Sequence, residues 1–287
     1  MLRRTFVSST AAAAVASAAP QGPARPKASV MLWTLKGTFE QKLEIAAKAG
    51  CESVELVGEH LEWSDAEVKG KMAAARSLKL GMDTISAMPN WGKEPVSMLD
   101  PAQRPSMLKE VARQIEWAKK LEIPQLLLMS GNAIAGRSFD EQFASMLEGC
   151  KRAGEMAAKA QVTMIIEPLN NKVDHKGFFM SNCVDGLRMV KETNNPHVKL
   201  LFDIYHEQIQ LGNVTRTVVE AAPHVRVFHI ADNPGRHEPG TGEMNYANIY
   251  AAIKKTGYAH YMTMEYLPTG DQGASLEKAV KEMRAVL

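Results

Sequence analysis

The chain has 287 residues, of which 45% are hydrophobic and 23% charged, and its formal net charge is +2. This length can bury one large core without disulfide bonds, and the near-neutral charge excludes an electrostatic footprint for nucleic acid or for an anionic membrane. The three cysteines, Cys51, Cys150 and Cys183, have no metal-binding spacing, so we interpret them as small buried apolar residues.

The first residues are typical of an export signal. Arg3 and Arg4 form a twin arginine, and an Ala-rich, weakly apolar stretch follows over residues 8–19. This layout predicts a twin-arginine signal peptide over residues 1–19 and export by that route to the periplasm. A disordered Ala/Ser-rich terminus is the alternative. Residues 20–28, which contain three prolines, are predicted to be a linker.

Apolar runs alternate with amphipathic helical segments from residue 29 to residue 287. The predicted strands are residues 29–35, 53–57, 81–88 and 125–129, followed by four runs that end at Glu167, Asp203, His229 and Glu265. The predicted helices cover residues 38–49, a segment opened by a capping box at Ser64, and residues 107–121, 138–160, 182–193, 214–221, 246–256 and 275–286. A second capping box is predicted at Ser138, where helix 138–160 begins.

This alternation predicts an α/β fold in which residues 29–287 form a single (β/α)8 TIM barrel. The strands are continuous apolar runs, as in parallel sheets covered by helices on the outside. An open doubly wound sheet is the competing fold, but its Gly-rich fingerprint is absent after the first strand.

The last four predicted strands each end in a residue that can bind a metal, namely Glu167, Asp203, His229 and Glu265. Barrel enzymes place their active sites at the carboxyl ends of the strands, so we expect these side chains to meet. Three carboxylates and an imidazole suit a divalent cation. None of these strand ends carries Lys or Arg, so a cation would relieve the repulsion between the carboxylates. Singly, each residue has an alternative role as a helix cap, a surface charge or a core histidine.

The sequence around these positions resembles the hydroxypyruvate isomerases of the xylose-isomerase-like barrel superfamily. Ketohexose 3-epimerases and apurinic endonucleases are relatives within that superfamily. The similarity is carried by IEPLN at residues 166–170, FDIYH at 202–206, IADNPGRHEPGTGE at 230–243 and EY at 265–266.

The resemblance implies one divalent metal, Mg²⁺ or Mn²⁺, held by Glu167, Asp203, His229 and Glu265. It also implies that Glu167 and Glu265 flank the substrate as an acid/base pair. Hydroxypyruvate isomerases often have Gln at the position of His229, whereas the epimerases have His, so the resemblance leaves the substrate open.

Three further residues are candidates for substrate binding. His206 resembles the family's donor to a substrate oxygen, and a capping role at the start of the loop after the sixth strand is the alternative. Arg236 and Glu238 lie in the Gly/Pro-rich loop after the seventh strand. Arg236 is expected to bind the carboxylate of a small acid, and a solvated surface loop is the alternative for both residues.

These features predict a metal-dependent isomerase that acts on a small hydroxy-keto acid or sugar by enediolate proton transfer. A proton must leave a carbon next to a carbonyl and be returned to the adjacent carbon, which requires positioned acid and base groups. Two carboxylates on opposite sides of the substrate would equally serve a ketose 3-epimerase, so that alternative stays open.

Two other functions are less favoured. An apurinic-endonuclease-like hydrolase would need extra histidine ligands after the second and third strands, where only His60 is available. A non-catalytic sugar-binding barrel would not need both Glu167 and Glu265. We therefore expect a small-molecule substrate, no nucleic-acid partner and no stable membrane insertion, and the sequence allows a homo-oligomer without predicting one.

Overall fold

Eight parallel strands close into a barrel in the computed structural model, which describes residues 25–89 and 97–287. Each strand pairs with the next along the chain, and β1 also pairs with β8. The strands are β1 (Lys27–Met31), β2 (Ser53–Glu55), β3 (Gly81–Ser86), β4 (Gln125–Met129), β5 (Thr163–Glu167), β6 (Val198–Asp203), β7 (Val225–Ile230) and β8 (Tyr261–Met264). The predicted (β/α)8 TIM barrel is confirmed.

Helices connect the strands. Those of the described residues are α1 (Phe39–Lys48), α2 (Asp65–Ser77), α3 (Arg104–Leu121), α4 (Phe139–Ala160), α5 (Cys183–Thr193), α6 (Ile204–Gln210), α7 (Val214–Ala221), α8 (Tyr246–Lys255) and α9 (Gln272–Val286). The predicted capping boxes at Ser64 and Ser138 are both present, and each serine hydroxyl accepts the N–H of the third helical residue. No helix in the described part of the chain is long and apolar enough to cross a membrane.

Several element boundaries differ from the prediction, and two of these differences bear on the linker and on the site. β1 begins at Lys27, inside the predicted linker 20–28, because Lys27 and Ala28 pair with β8. Helix α6 begins directly after Asp203, where a loop was predicted, because the Asp203 carboxylate caps it by accepting the N–H of His206 at 2.9 Å. The predicted signal peptide 1–19 and residues 20–24 of the linker lie outside the described residues.

The inner face of the barrel determines where the polar side chains meet. A small apolar cluster inside the barrel takes one residue from each of four consecutive strands, Leu127, Ile165, Leu201 and Val227. Side chains alternate between the two faces of a strand with a period of two. The residues two positions after the last three members therefore also face inward, one layer nearer the carboxyl ends. These residues are Glu167, Asp203 and His229.

Candidate active site

Four residues predicted as metal ligands lie together at the carboxyl end of the barrel. Glu167, Asp203, His229 and Glu265 each offer one ligand atom, and these four atoms all lie within 4.8 Å of one another. All four side chains are buried. The structure thus brings together three carboxylates and one imidazole from β5, β6, β7 and the end of β8.

The imidazole of His229 is at the centre of this cluster. Its Nδ1 atom lies 2.7 Å from Glu265 Oε2, 3.2 Å from Glu167 Oε1 and 3.9 Å from Asp203 Oδ2. Burial lowers the pKa of His229, but the carboxylates of Glu55 and Glu265 outweigh that effect and hold the pKa well above its ordinary value. One edge of the ring therefore faces all three predicted carboxylate ligands.

Glu55, at the end of β2, belongs to the site and was missed by the sequence analysis. It is fully buried, and its Oε2 atom lies 3.0 Å from His229 Nε2. Burial raises the pKa of Glu55 to about 7. Since Glu55 engages Nε2, the Nδ1 atom of His229 is the one left to face the cluster. An acidic residue inside a predicted buried strand was the signal that could have identified it.

Arg236 reaches the cluster from the loop after β7, which corrects one premise of the sequence analysis. The strand ends carry no Lys or Arg, yet Arg236 Nη2 lies 2.8 Å from Glu265 Oε2 and 3.3 Å from Asp203 Oδ2. Its guanidinium carbon lies 5.2 Å from the centre of the Tyr205 ring and 5.8 Å from that of Trp33. The negative charge of the carboxylates is thus partly compensated by the guanidinium of Arg236. The sequences of the strands alone do not reveal this contact.

The two glutamates of the expected acid/base pair have different surroundings. Burial raises the pKa of Glu167 above its ordinary value. Burial also acts on Glu265, but Arg236 and His229 outweigh it and hold the pKa of Glu265 well below the ordinary value. In addition, the indole N–H of Trp33 donates to Glu265 Oε1 at 3.2 Å.

The loop that carries Arg236 is held together by Asp232. This buried carboxylate accepts the N–H groups of Asn233 at 2.9 Å, Gly240 at 2.7 Å and Met244 at 3.1 Å. A Cβ atom on Gly242 would lie 2.3 Å from the carbonyl oxygen of Asn233, so no side chain fits there. The same folded loop holds Arg236 at a φ of 55°, in the left-handed region.

Glu238 has partners outside the cluster. Its carboxylate accepts the Thr269 hydroxyl at 2.6 Å and the Thr269 N–H at 3.1 Å. These bonds join the loop after β7 to the loop after β8. The substrate-binding role of Glu238 remains a prediction, and the structure gives its carboxylate a bridging role between two loops.

His206 lies in α6 beside Asp203 and is buried. Its backbone N–H is part of the helix cap, whereas its imidazole is directed at two other residues. Nδ1 lies 2.6 Å from Asn170 Nδ2, and Nε2 lies 3.7 Å from Asp203 Oδ2. Burial lowers the pKa of His206 to about 4, so the ring is neutral near pH 7.

His60, the histidine available to a larger metal cluster, is a core residue. It is fully buried, its Nε2 atom lies 2.8 Å from Gln114 Oε1, and its ring packs edge-on against Trp117. It is not among the four clustered ligand residues. The structure therefore offers the hydrolase alternative no additional ligand at this position.

The four clustered residues fit a divalent cation. His229 Nδ1 and Glu265 Oε2 are buried and, within the described residues, have no partner with hydrogen-bonding geometry. A hard divalent cation prefers carboxylate oxygens and accepts one imidazole nitrogen. A cation bound between these atoms would satisfy both of them.

Comparison with known proteins gives a family and named relatives. The sequence model of a family described as a xylose isomerase-like TIM barrel matches residues 43–286. The chain is 28% identical over 240 residues to hydroxypyruvate isomerase of Escherichia coli, covering 83% of this chain and 91% of that protein. It is 29% identical over 241 residues to 2-oxo-tetronate isomerase of Cupriavidus necator, covering 83% and 90%.

Solved structures share the barrel. An AP endonuclease of family 2 from Brucella melitensis superposes with a TM-score of 0.77 at 24% identity, covering 88% of this chain and 96% of that one. D-psicose 3-epimerase from Clostridium cellulolyticum H10 superposes with a TM-score of 0.75 at 16% identity, covering 91% and 99%. At these identities the two structures establish the fold alone.

Proposed function

The chain belongs to the xylose isomerase-like TIM barrel family, and on that premise we propose that it is a metal-dependent isomerase of a small hydroxy-keto acid. Its isomerase relatives support the class of an isomerase or epimerase acting on small sugars or sugar acids. The observation that carries the proposal is the buried cluster of Glu167, Asp203, His229 and Glu265 at the carboxyl end of the barrel.

The choice of a hydroxy-keto acid is supported by charge and by the relatives. Both relatives are named for isomerases of small oxo acids. In this chain Arg236 brings a partly buried guanidinium to the edge of the cluster. A guanidinium binds a carboxylate through two parallel hydrogen bonds. Arg236 is therefore proposed to bind the acid group of the substrate.

The residues of the site are proposed to have different roles in the reaction. Glu167, Asp203, His229 and Glu265 would hold Mg²⁺ or Mn²⁺, which when bound supplies Lewis acidity at the substrate carbonyl. Glu167 and Glu265 form the acid/base pair: one takes a proton from the carbon next to the carbonyl, and the other returns a proton to the adjacent carbon. His206 is proposed to bind a substrate oxygen.

A ketose 3-epimerase is the second candidate. Glu167 and Glu265 approach His229 Nδ1 at similar distances, 3.2 Å and 2.7 Å, so both carboxylates can reach a substrate bound beside that atom. An epimerase removes a proton from one face of a carbon and returns it to the other, which needs the same two groups. The arrangement of Glu167 and Glu265 is compatible with both isomerisation and epimerisation, so identifying the substrate would decide between the two reactions.

Proton exchange tests the proposal. The purified protein would be incubated with Mn²⁺ in deuterated water with hydroxypyruvate, tartronate semialdehyde or neutral ketoses, and after removal of Mn²⁺ the products would be examined by NMR. We expect deuterium to enter at the carbon next to the carbonyl, and Glu167→Gln and Glu265→Gln each to abolish its entry. Unchanged exchange in both variants would exclude the assignment.

We further propose that the protein is exported by the twin-arginine route, on the basis of Arg3 and Arg4 and the Ala-rich stretch that follows. An Arg3→Lys/Arg4→Lys double variant should then accumulate in the cytoplasm when the full chain is produced in a bacterium with this pathway. Equal periplasmic amounts of the double variant and the unaltered chain would contradict this proposal.

A further inference from the structure

The amide of Asn170 has only one orientation compatible with its neighbours. Its Oδ1 atom accepts the backbone N–H groups of Val173 at 3.0 Å and Asp174 at 3.2 Å. A backbone N–H can only donate, so this atom must be the oxygen. The nitrogen Nδ2 then lies 2.7 Å from the Asp174 carboxylate, which can accept its first proton.

The second proton of that amide determines the tautomer of His206. Asn170 Nδ2 lies 2.6 Å from His206 Nδ1, and the backbone N–H of Asn170 approaches the same atom at 3.4 Å. Two donors can be satisfied there only if Nδ1 is an unprotonated acceptor. A neutral imidazole must then carry its proton on Nε2.

The Nε2 atom of His206 faces the site. It is buried and has no hydrogen-bond partner in the described part of the chain. The nearest carboxylate oxygen, Asp203 Oδ2, is 3.7 Å away, which is too far for a hydrogen bond. A buried N–H donor is thus available for a partner that is not part of the described chain.

Asp174 and the imidazole of His206 are also held by neighbouring aromatic residues. The Tyr205 hydroxyl donates to Asp174 Oδ1 at 3.3 Å, so the aspartate has partners on both oxygens. The rings of Tyr205 and His175 pack edge-on against His206, each at 5.3 Å between centroids. Asp174, Asn170 and His206 thus form a supported chain that leads from the loop after β5 to the site.

We propose that Asn170 is a positioning residue that locks His206 as the Nε2–H tautomer, so that His206 donates a hydrogen bond to a substrate oxygen and does not act as a base through that atom. The tautomer follows from the geometry alone. The substrate oxygen as its acceptor rests on the proposed function, where the donor would stabilise negative charge that develops on that oxygen.

The substitution Asn170→Asp tests this proposal because it exchanges a donor for an acceptor at nearly constant volume. A carboxylate at position 170 would accept a proton from His206 Nδ1 and so favour the opposite tautomer or the imidazolium. The matched control is Asn182→Asp. Asn182 also donates to an aspartate, Asp185 at 2.8 Å, but it caps α5 and bonds no histidine.

The primary readout is the ¹⁵N NMR spectrum of the imidazole nitrogens in the Mg²⁺-loaded full chain, with His206 assigned by the loss of its signals in His206→Gln. We expect a protonated Nε2 and an unprotonated Nδ1 in the unaltered protein and in Asn182→Asp. In Asn170→Asp we expect Nδ1 to become protonated. A proton on Nδ1 in the unaltered protein, or an unchanged His206 in Asn170→Asp, would overturn the proposal.

The turnover number kcat tests the second part of the proposal, the hydrogen bond from His206 to a substrate oxygen. One lost hydrogen bond to a charged oxygen corresponds to about a 10- to 100-fold fall in kcat for Asn170→Asp, with no such fall in Asn182→Asp. A shifted His206 tautomer with an unchanged kcat in Asn170→Asp would exclude His206 as a donor to the substrate. Absence of turnover in the unaltered protein would remove the proposed function and leave the tautomer result standing.

If Asn170→Asp does not fold, two measurements remain. The tautomer of the unaltered protein needs no variant at this position. Asn170→Ala removes the side-chain donor to His206 Nδ1, together with the acceptor of the Val173 and Asp174 N–H groups, and introduces no new acceptor beside His206. It should yield a mixture of the two tautomers. A pure Nε2–H form in Asn170→Ala would contradict the positioning role.

Discussion

The two nitrogens of His229 face different carboxylates, and these contacts fix the orientation of the imidazole in the site. Nε2 is bonded by Glu55 at 3.0 Å, and Nδ1 faces Glu167 and Glu265. A carboxylate behind a metal-binding imidazole fixes its tautomer and orientation. Glu55 therefore positions the imidazole of His229 and is not one of the four clustered residues.

The first prediction concerns this residue. Glu55→Ala should lower the affinity for Mn²⁺ about 10- to 100-fold, the usual effect of removing such a supporting group. The measurement is calorimetric titration of the cation-free protein. Glu62→Ala is the control because Glu62 is an exposed residue of the same type in the following turn. Equal affinities in Glu55→Ala and the unaltered protein would contradict the role given to Glu55.

Arg236 carries the second prediction, which separates acid substrates from neutral sugars. Arg236→Lys keeps the charge but loses the paired hydrogen-bond geometry. We expect KM for hydroxy-keto acids to rise about tenfold, the value of one modest charged hydrogen bond. KM for a neutral ketose should change much less. An equal rise for both substrate types would show that Arg236 acts on the cluster and not on the substrate.

At the scale of elements, the four strand ends were predictable and the elements around them were not. An apolar run followed by a charged residue marks the end of a buried strand, so β5 to β8 could be identified, together with the metal-capable residue at or next to the end of each strand. Helix α6 was missed because Asp203 ends a strand and caps a helix at once. The position of Arg236 depends on the path of a long loop, which no local pattern reveals.

The loop of residues 231–245 carries the third prediction. Gly242→Ala would place a methyl group 2.3 Å from the Asn233 carbonyl, so the loop must shift and Arg236 with it. We expect a loss of about 1–3 kcal/mol in the free energy of unfolding, as for other overpacked sites, and a lower kcat/KM.

Denaturant unfolding and initial rates measure both effects. Gly270→Ala is the control, since a Cβ at Gly270 meets no atom within 4 Å. An Ala at position 242 that is as stable and as active as the control would mean that the tight packing of this loop is not needed.

At the scale of the whole molecule, the barrel explains why distant residues converge. Glu55 and His229 are 174 positions apart in the sequence, yet their side chains meet because every strand points its carboxyl end to the same mouth. Period-two alternation predicts which residues face inward, but it does not show which inward residues touch. For this reason the sequence identified the four clustered residues and not the partner of His229.

The site and the layer of the barrel directly beneath it differ in polarity. The acidic cluster, Arg236 and His206 all lie at the carboxyl ends of the strands, and the inward-facing apolar cluster of Leu127, Ile165, Leu201 and Val227 lies one layer below. An apolar layer beneath a polar site keeps the charged groups in a low-dielectric surrounding, where their interactions are strong. This arrangement favours a tight and specific site for a cation.

The most direct test of the proposed metal site is the stoichiometry of Mn²⁺ bound to the purified protein, measured by calorimetric titration after all cations have been removed. We expect one ion per chain. We expect Asp203→Ala, which removes one carboxylate from the cluster, to weaken binding at least as much as the loss of a supporting residue does, which is about 10- to 100-fold. Proton exchange should stop without the ion and return with it. Full exchange by the cation-free protein, or one ion bound equally well by Asp203→Ala, would show that the reaction does not depend on a cation held by this cluster.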